Sequence, residues 1–193
     1  FEESFIEWKT TYELNSKLSL NDYYFNKLEA SNLKSLITTN KNLYNYQYVG
    51  IICKHLPNAK IINCIRNPLD NILSIYRAHF KKGNEFSSSI RDSAKLYLDR
   101  KSIMDLYRKE FKSRIYDIDY DLLVSSPIKE IKSLIDWLGW RWDESYLSPH
   151  LNKRSILTAS NVQARFPINS KSIGGWKNYS QMLQPAIKIV GEK

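Results

Sequence analysis

Arg66 closes a short apolar run, AKIINCIR (Ala59 to Arg66), and Ser74 follows on the next amphipathic stretch. An arginine at the carboxyl end of a buried strand stands at the crevice where open α/β sheets place their ligands. Its planar fork of N–H donors matches a phosphate, and a hydroxyl on the following helix adds a further bond. The plainer alternative is that Arg66 pairs with Asp70 at the helix start, and spacing alone gives it comparable weight. A second candidate lies in SKSIGGWKNY (Ser170 to Tyr179). There Gly174-Gly175 lets a backbone approach closely, and Trp176 offers a flat ring on which an adenine can stack. Its alternative is an ordinary Gly-Gly turn beside a core aromatic.

The elements that must position these groups follow from periodicity. Residues 2 to 16 and about 20 to 38 have helical spacing, with Phe5, Trp8, Tyr12, Tyr24, Leu28, Leu33, Leu36 and Ile37 as expected buried positions. Tyr44 to Leu56 predicts another helix, ended by the Pro57-Asn58 turn. The isoleucine-rich run to Arg66 predicts a parallel strand covered on both faces. Asn67-Pro68-Leu69-Asp70 then predicts a helix start: an Asn cap, Pro at the first helical position and an acid in the positive first turn. Leu69, Ile72, Leu73 and Tyr76 form its apolar stripe. A mostly solvated helix over about 89 to 111 precedes a second strand, Arg114 to Tyr120. There Tyr116, Ile118 and Tyr120 alternate with Asp117 and Asp119. Ser126-Pro127 opens a further helix and Gly139 stops it. Strands alternating with helices predict a three-layer α/β architecture with a parallel sheet flanked by helices.

Composition narrows the function classes. The 193 residues are 42% hydrophobic and 13% aromatic with six Gly and six Pro, which excludes disordered and collagenous chains and predicts one domain over 1–193. No apolar run approaches the ~20 residues of a membrane span. Cys53 and Cys64 sit in apolar surroundings without metal-ligand spacing, and are expected as buried free thiols; His55, His79 and His150 are scattered, so no metal is expected. The 29 Lys and Arg exceed the 20 Asp and Glu by nine, and Ser145 to Gly191 holds no carboxylate at all. That distribution favours anionic partners, although a solvated basic face explains it equally well.

The pieces KHLPNAKIINCIRNPLDNILSIY, YDLLVSSPIKEIKSLIDWLGWRWDE and TASNVQARFPINSKSIGGWKNY, in this order, resemble sulfotransferases that use 3′-phosphoadenosine-5′-phosphosulfate (PAPS). The resemblance covers the chain from Asn40 onwards and is nearest to the tyrosylprotein sulfotransferase-like group, particularly its bacterial members with tetratricopeptide repeats. It implies a P-loop-like sulfotransferase fold in which Arg66 and Ser74 bind the 3′-phosphate and Tyr120 contacts the nucleotide. Asn40-Lys41 is similar to the family's Asn-Lys pair, which implies that Lys41 supports sulfuryl transfer. Thr158, Ser160 and Arg165 fall in a segment near the donor, and GGWKN is similar to the family's G-D-W-K-N, bringing Lys171 and Trp176 to the nucleotide. The family's R-x-G-T-[TS] loop, which wraps the 5′-phosphosulfate with backbone amides, has no counterpart in the chain. With Phe1 opening inside a helical pattern, the chain is expected to be the C-terminal major part of such a domain, incomplete at its N-terminus, with the general base upstream.

The expectation is therefore sulfuryl transfer from PAPS to a hydroxyl or amine, leaving adenosine 3′,5′-bisphosphate, without a metal. The acceptor is a peptide tyrosine, a carbohydrate or a small molecule; nucleic acid and membrane are not expected partners, and the expected setting is the cytoplasm. Two alternatives stay open. One is a basic nucleic-acid-binding module with stacking aromatics and phosphate-tracking cations. The other is a nucleotide-binding interaction domain without chemistry.

Overall fold

The computed structural model describes residues 1–12, 18–30, 37–78, 80, 83–153 and 163–191. The described residues form two compact units, Phe1–Ile61 with Ile103–Arg114, and Ile62–Ser102 with Ile115–Lys193.

The first unit is helical. Helices α1 (Glu2–Tyr12) and α2 (Leu20–Ala30) pack together, and α3 (Val49–His55) follows a 3-10 turn, Asn45–Tyr48. Tyr24, Ile52 and Leu56 are buried at the centre, with Phe1, Leu28 and Tyr48 against them. The Phe1 ring lies 5.8 Å from Tyr24 and 6.0 Å from Tyr48 in tilted arrangements that suit aromatic quadrupoles. Ile37, expected in the core, is 53% exposed; Leu33 and Leu36 lie outside the described residues. Arg114 closes the unit from its second chain segment. Its guanidinium donates to the carbonyls of Cys53 at 2.6 Å and Leu56, which the end of α3 leaves without helical partners, and to that of Ala59 at 3.0 Å beyond the following turn.

The second unit holds the sheet. Strands β1 (Ile61–Ile65, of which Ile62 onward belong here) and β2 (Ile115–Asp119) pair directly in a small parallel sheet, and Asn63 Nδ2 donates to Asp117 Oδ1 at 2.7 Å. The coverage of β1 differs from the expectation of two shielded faces. Ile62 is 44% exposed and Cys64 is exposed too, so Ile61, Asn63 and Ile65 face inward while the other face stays open to solvent. Cys53 is buried as expected; Cys64 is not, because it points from that open face.

Helix α4 (Pro68–Arg77) begins where Asn67 Oδ1 accepts from the amides of Leu69 and Asp70, with Pro68 in its first turn. Its apolar stripe is buried at Leu69, Ile72 and Leu73, whereas Tyr76 at the stripe's end is 37% exposed. These residues join Ala94 of α5 (Ile90–Glu110) and Leu183 and Ala186, at the start of α8 (Gln184–Gly191), in one core. After β2 comes a short helix that periodicity does not reveal, α6 (Tyr120–Ser125), started by Asp119, whose carboxylate accepts from the amides of Asp121 and Leu122. Helix α7 (Pro127–Leu138) packs on β2 through Trp137 and Tyr116, 5.3 Å between ring centroids. It ends at Gly139, whose φ of 75° is a left-handed conformation that glycine adopts without steric cost.

Candidate functional site: the carboxyl ends of the two strands

The parallel pairing of β1 and β2 brings Arg66 and Tyr120, far apart in the chain, to the same end of the sheet. The guanidinium carbon of Arg66 stands 4.7 Å from the centroid of the Tyr120 ring, a cation–π arrangement that fixes the plane of the fork. Arg66 Nη2 donates to the carbonyl oxygen of Ser172 at 2.6 Å, and the Tyr97 hydroxyl donates to the backbone oxygen of Arg66 at 3.3 Å. Nε of Arg66 is buried and has no partner among the described residues. An unpartnered cationic N–H donor, with its plane set by a ring and one edge held by a carbonyl, is suited to an anionic oxygen.

The pairing of Arg66 with Asp70 does not form. The Asp70 side chain is only 3% exposed and turns to the Gly-Gly segment: Oδ2 accepts from the Gly174 amide at 2.7 Å and Oδ1 from the Trp176 amide at 2.9 Å. Gly174 has φ of 69°, and a β-carbon on Gly175 would stand 3.7 Å from Asp70 Oδ1. The loop thus crosses close over the start of α4. It places Ser172 against Arg66 and a half-buried Trp176 against the core of α4, α5 and α8.

The remaining site residues are arranged as follows. Ser74 lies two turns along α4, exposed, and its hydroxyl makes no hydrogen bond among the described residues. Lys171 immediately precedes Ser172 and is exposed, its amide donating to Asn169 Oδ1 at 3.2 Å. Arg165 is exposed and donates from Nη1 to the backbone oxygen of Asn152. Thr158 and Ser160 lie outside the described residues. Lys41 belongs to the helical unit and is exposed; its neighbour Asn40 is anchored there, donating to the Tyr24 hydroxyl at 3.3 Å and accepting from Asn45 Nδ2 at 2.9 Å.

Sequence reasoning misses three groups at this end of the sheet. Asp70 reads in the sequence as a helix-dipole residue and is in the fold a latch. The Ser172 carbonyl carries no side-chain signal. Asp121 accepts from the Asn67 amide at 3.1 Å through Oδ2, tying together the helix starts that follow the two strands, while its Oδ1 is buried without a partner among the described residues. An acid in the first turn of one helix, in a chain with a distant acid-free Gly-Gly loop, is the available signal for Asp70. Among the described residues no group of three or more His, Cys, Asp or Glu is placed to hold a metal ion.

These features define an α/β fold whose cationic end lies at the carboxyl edge of a small parallel sheet. The model of the Sulfotransferase family matches residues 7–144, and the chain belongs to that family. An uncharacterized protein of Aquifex aeolicus (strain VF5) is 31% identical over 192 residues, covering 96% of this chain and 25% of that protein, so the chain spans a quarter of that relative's length. The sulfotransferase domain from the curacin biosynthetic pathway shares the fold, with a TM-score of 0.61 over 91% of this chain and 68% of that one, at 18% identity. No described helix is long and apolar enough to cross a membrane.

Proposed function

We propose that the chain is the major part of a PAPS-dependent sulfotransferase domain, with Arg66 and Tyr120 at the 3′-phosphate end of the nucleotide. The observation that carries this reading is the Arg66 guanidinium: stacked on Tyr120, held by Ser172 and retaining a buried Nε without a partner among the described residues, at the carboxyl end of the sheet. The residues present fit a nucleotide phosphate, since a fixed planar fork binds a tetrahedral anion with little further ordering cost. Bound PAPS supplies a sulfuryl group on a phosphate leaving group. Arg66 holds the 3′-phosphate, Ser74 adds a hydroxyl, and Tyr120 fixes the fork and contacts the nucleotide. Thr158, Ser160, Arg165, Lys171 and Trp176 complete the donor-binding set.

Lys41 takes the catalytic part in this reading, offering its ammonium to the charge that builds on the leaving oxygen, while Asn40 holds the backbone that carries it. The acceptor is a hydroxyl or amine on a peptide tyrosine, carbohydrate or small molecule. Motif order supports the tetratricopeptide-repeat-associated, tyrosylprotein sulfotransferase-like group, and in this reading the enzyme is bacterial and cytoplasmic. Titration calorimetry with adenosine 3′,5′-bisphosphate and adenosine 5′-monophosphate tests the donor assignment. The 3′-phosphate should tighten binding at least tenfold, about 1.4 kcal/mol, and equal affinities would withdraw the assignment.

A further inference from the structure

We propose that Asp70 is the positioning residue of the 3′-phosphate site, acting on Arg66 through the Gly-Gly loop; this rests on the donor reading of Arg66 given above. Asp70 is almost fully buried, yet it makes no ion pair among the described residues. Both carboxylate oxygens instead accept backbone amides, from Gly174 at 2.7 Å and Trp176 at 2.9 Å, across about a hundred positions of sequence. The segment so held runs directly from Ser172, whose carbonyl takes Arg66 Nη2 at 2.6 Å. Arg66 and Asp70 are themselves linked by the short Asn67-capped start of α4, where Asn67 Oδ1 accepts the Asp70 amide at 3.2 Å. The result is a closed ring of contacts: strand end, helix start, carboxylate, loop and back to the guanidinium.

The chemistry of the ring explains why a carboxylate stands there. Two N–H donors meet one side chain, one on each carboxylate oxygen; an amide in the same pose keeps one of these acceptors and turns an NH2 toward the other donor. A buried carboxylate is costly to desolvate, and charge-assisted bonds to two amides offset that cost at one geometry. Asp70 thereby fixes the height of the loop over α4 and, through Ser172, the rotation of the guanidinium about the Tyr120 face.

Asp70→Asn should loosen the loop while retaining the Arg66 charge and the Tyr120 ring. Gly174→Ala strains the same loop without touching either side chain, because the left-handed φ of 69° disfavours any β-carbon although the nearest atoms, of Lys177, are 3.8 Å and more away. Calorimetry compares adenosine 3′,5′-bisphosphate with adenosine 5′-monophosphate in both variants and in Arg66→Ala. The expected result is a fivefold or greater fall in the preference for the 3′-phosphate in Asp70→Asn and Gly174→Ala; any loss at Trp176, which the same loop carries, weakens both nucleotides and cancels in that ratio. General loosening of the fold weakens both nucleotides together and leaves their ratio unchanged. An unchanged ratio in Gly174→Ala, and in Asp70→Asn where it folds, alongside a collapsed ratio in Arg66→Ala overturns the positioning role and leaves the site standing. An unchanged ratio in Arg66→Ala overturns the site reading, and the inference with it.

Discussion

Replacing Arg66 separates charge from geometry at the strand ends. The guanidinium has five N–H donors. One is committed to the Ser172 carbonyl at 2.6 Å, the Nε donor is buried without a partner among the described residues, and one face is occupied by Tyr120 at 4.7 Å. An anion bound by the rest gains at least one charge-assisted hydrogen bond, worth about 1.5 to 3 kcal/mol, so Arg66→Ala should weaken adenosine 3′,5′-bisphosphate roughly 10- to 150-fold. The fold should survive, because Ser172 is exposed and water replaces the lost donor at its carbonyl. Arg66→Lys keeps the charge but not the fork. A single ammonium cannot serve Ser172, lie flat on Tyr120 and bind an anion bidentately, so at least fivefold of the loss should remain, about 1 kcal/mol. Calorimetric titration of both variants checks these values. Affinity within twofold of the unmodified protein in Arg66→Ala, below about 0.4 kcal/mol, would refute the placement of a phosphate on this arginine.

Other substitutions address the remaining roles. Lys41→Ala should lower kcat about 10²- to 10³-fold in single-turnover transfer from labelled PAPS while donor affinity moves less than threefold; a rate within threefold of the parent would reduce Lys41 to a surface residue. Arg114→Met removes a half-buried guanidinium from the carbonyls of Cys53, Leu56 and Ala59 and should cost roughly 2 to 4 kcal/mol in urea unfolding, with a loss under about 0.5 kcal/mol counting against its capping role. Burial pushes the Cys53 thiol above its ordinary pKa, partly opposed by Arg114, so less of it is thiolate at pH 8 than an open thiol presents. Iodoacetamide at that pH should therefore label exposed Cys64 at least tenfold faster than Cys53 by peptide mapping, and equal labelling would contradict the burial.

Much of this arrangement is legible in the sequence because it depends on short-range chemistry. The Asn67 cap, Pro68 in the first turn, the buried stripe Leu69, Ile72 and Leu73, and the Gly139 stop each follow from residues within a turn of one another, where backbone donors and side-chain period leave few choices. An apolar run that ends in arginine and leads into a helix likewise puts Arg66 at the carboxyl end of a strand, since the switch from strand to helix is written in adjacent residues. Coverage is not legible: the same isoleucine-rich run suits a strand buried on both faces or on one, and only the packing leaves Ile62 and Cys64 open. Tyr120 reads as the last apolar position of a strand, but Asp119 caps a new helix there, and a competing side-chain bond of that kind outweighs alternation. The partner of Arg66 is decided by tertiary structure alone. Local spacing offers Asp70, one helical turn away, whereas the fold brings a carbonyl and a ring from distant segments to the guanidinium and gives the carboxylate two amides from the loop. A backbone carbonyl and two amides carry no sequence identity, so no pattern of residues announces them; they acquire a role only when the chain closes on itself.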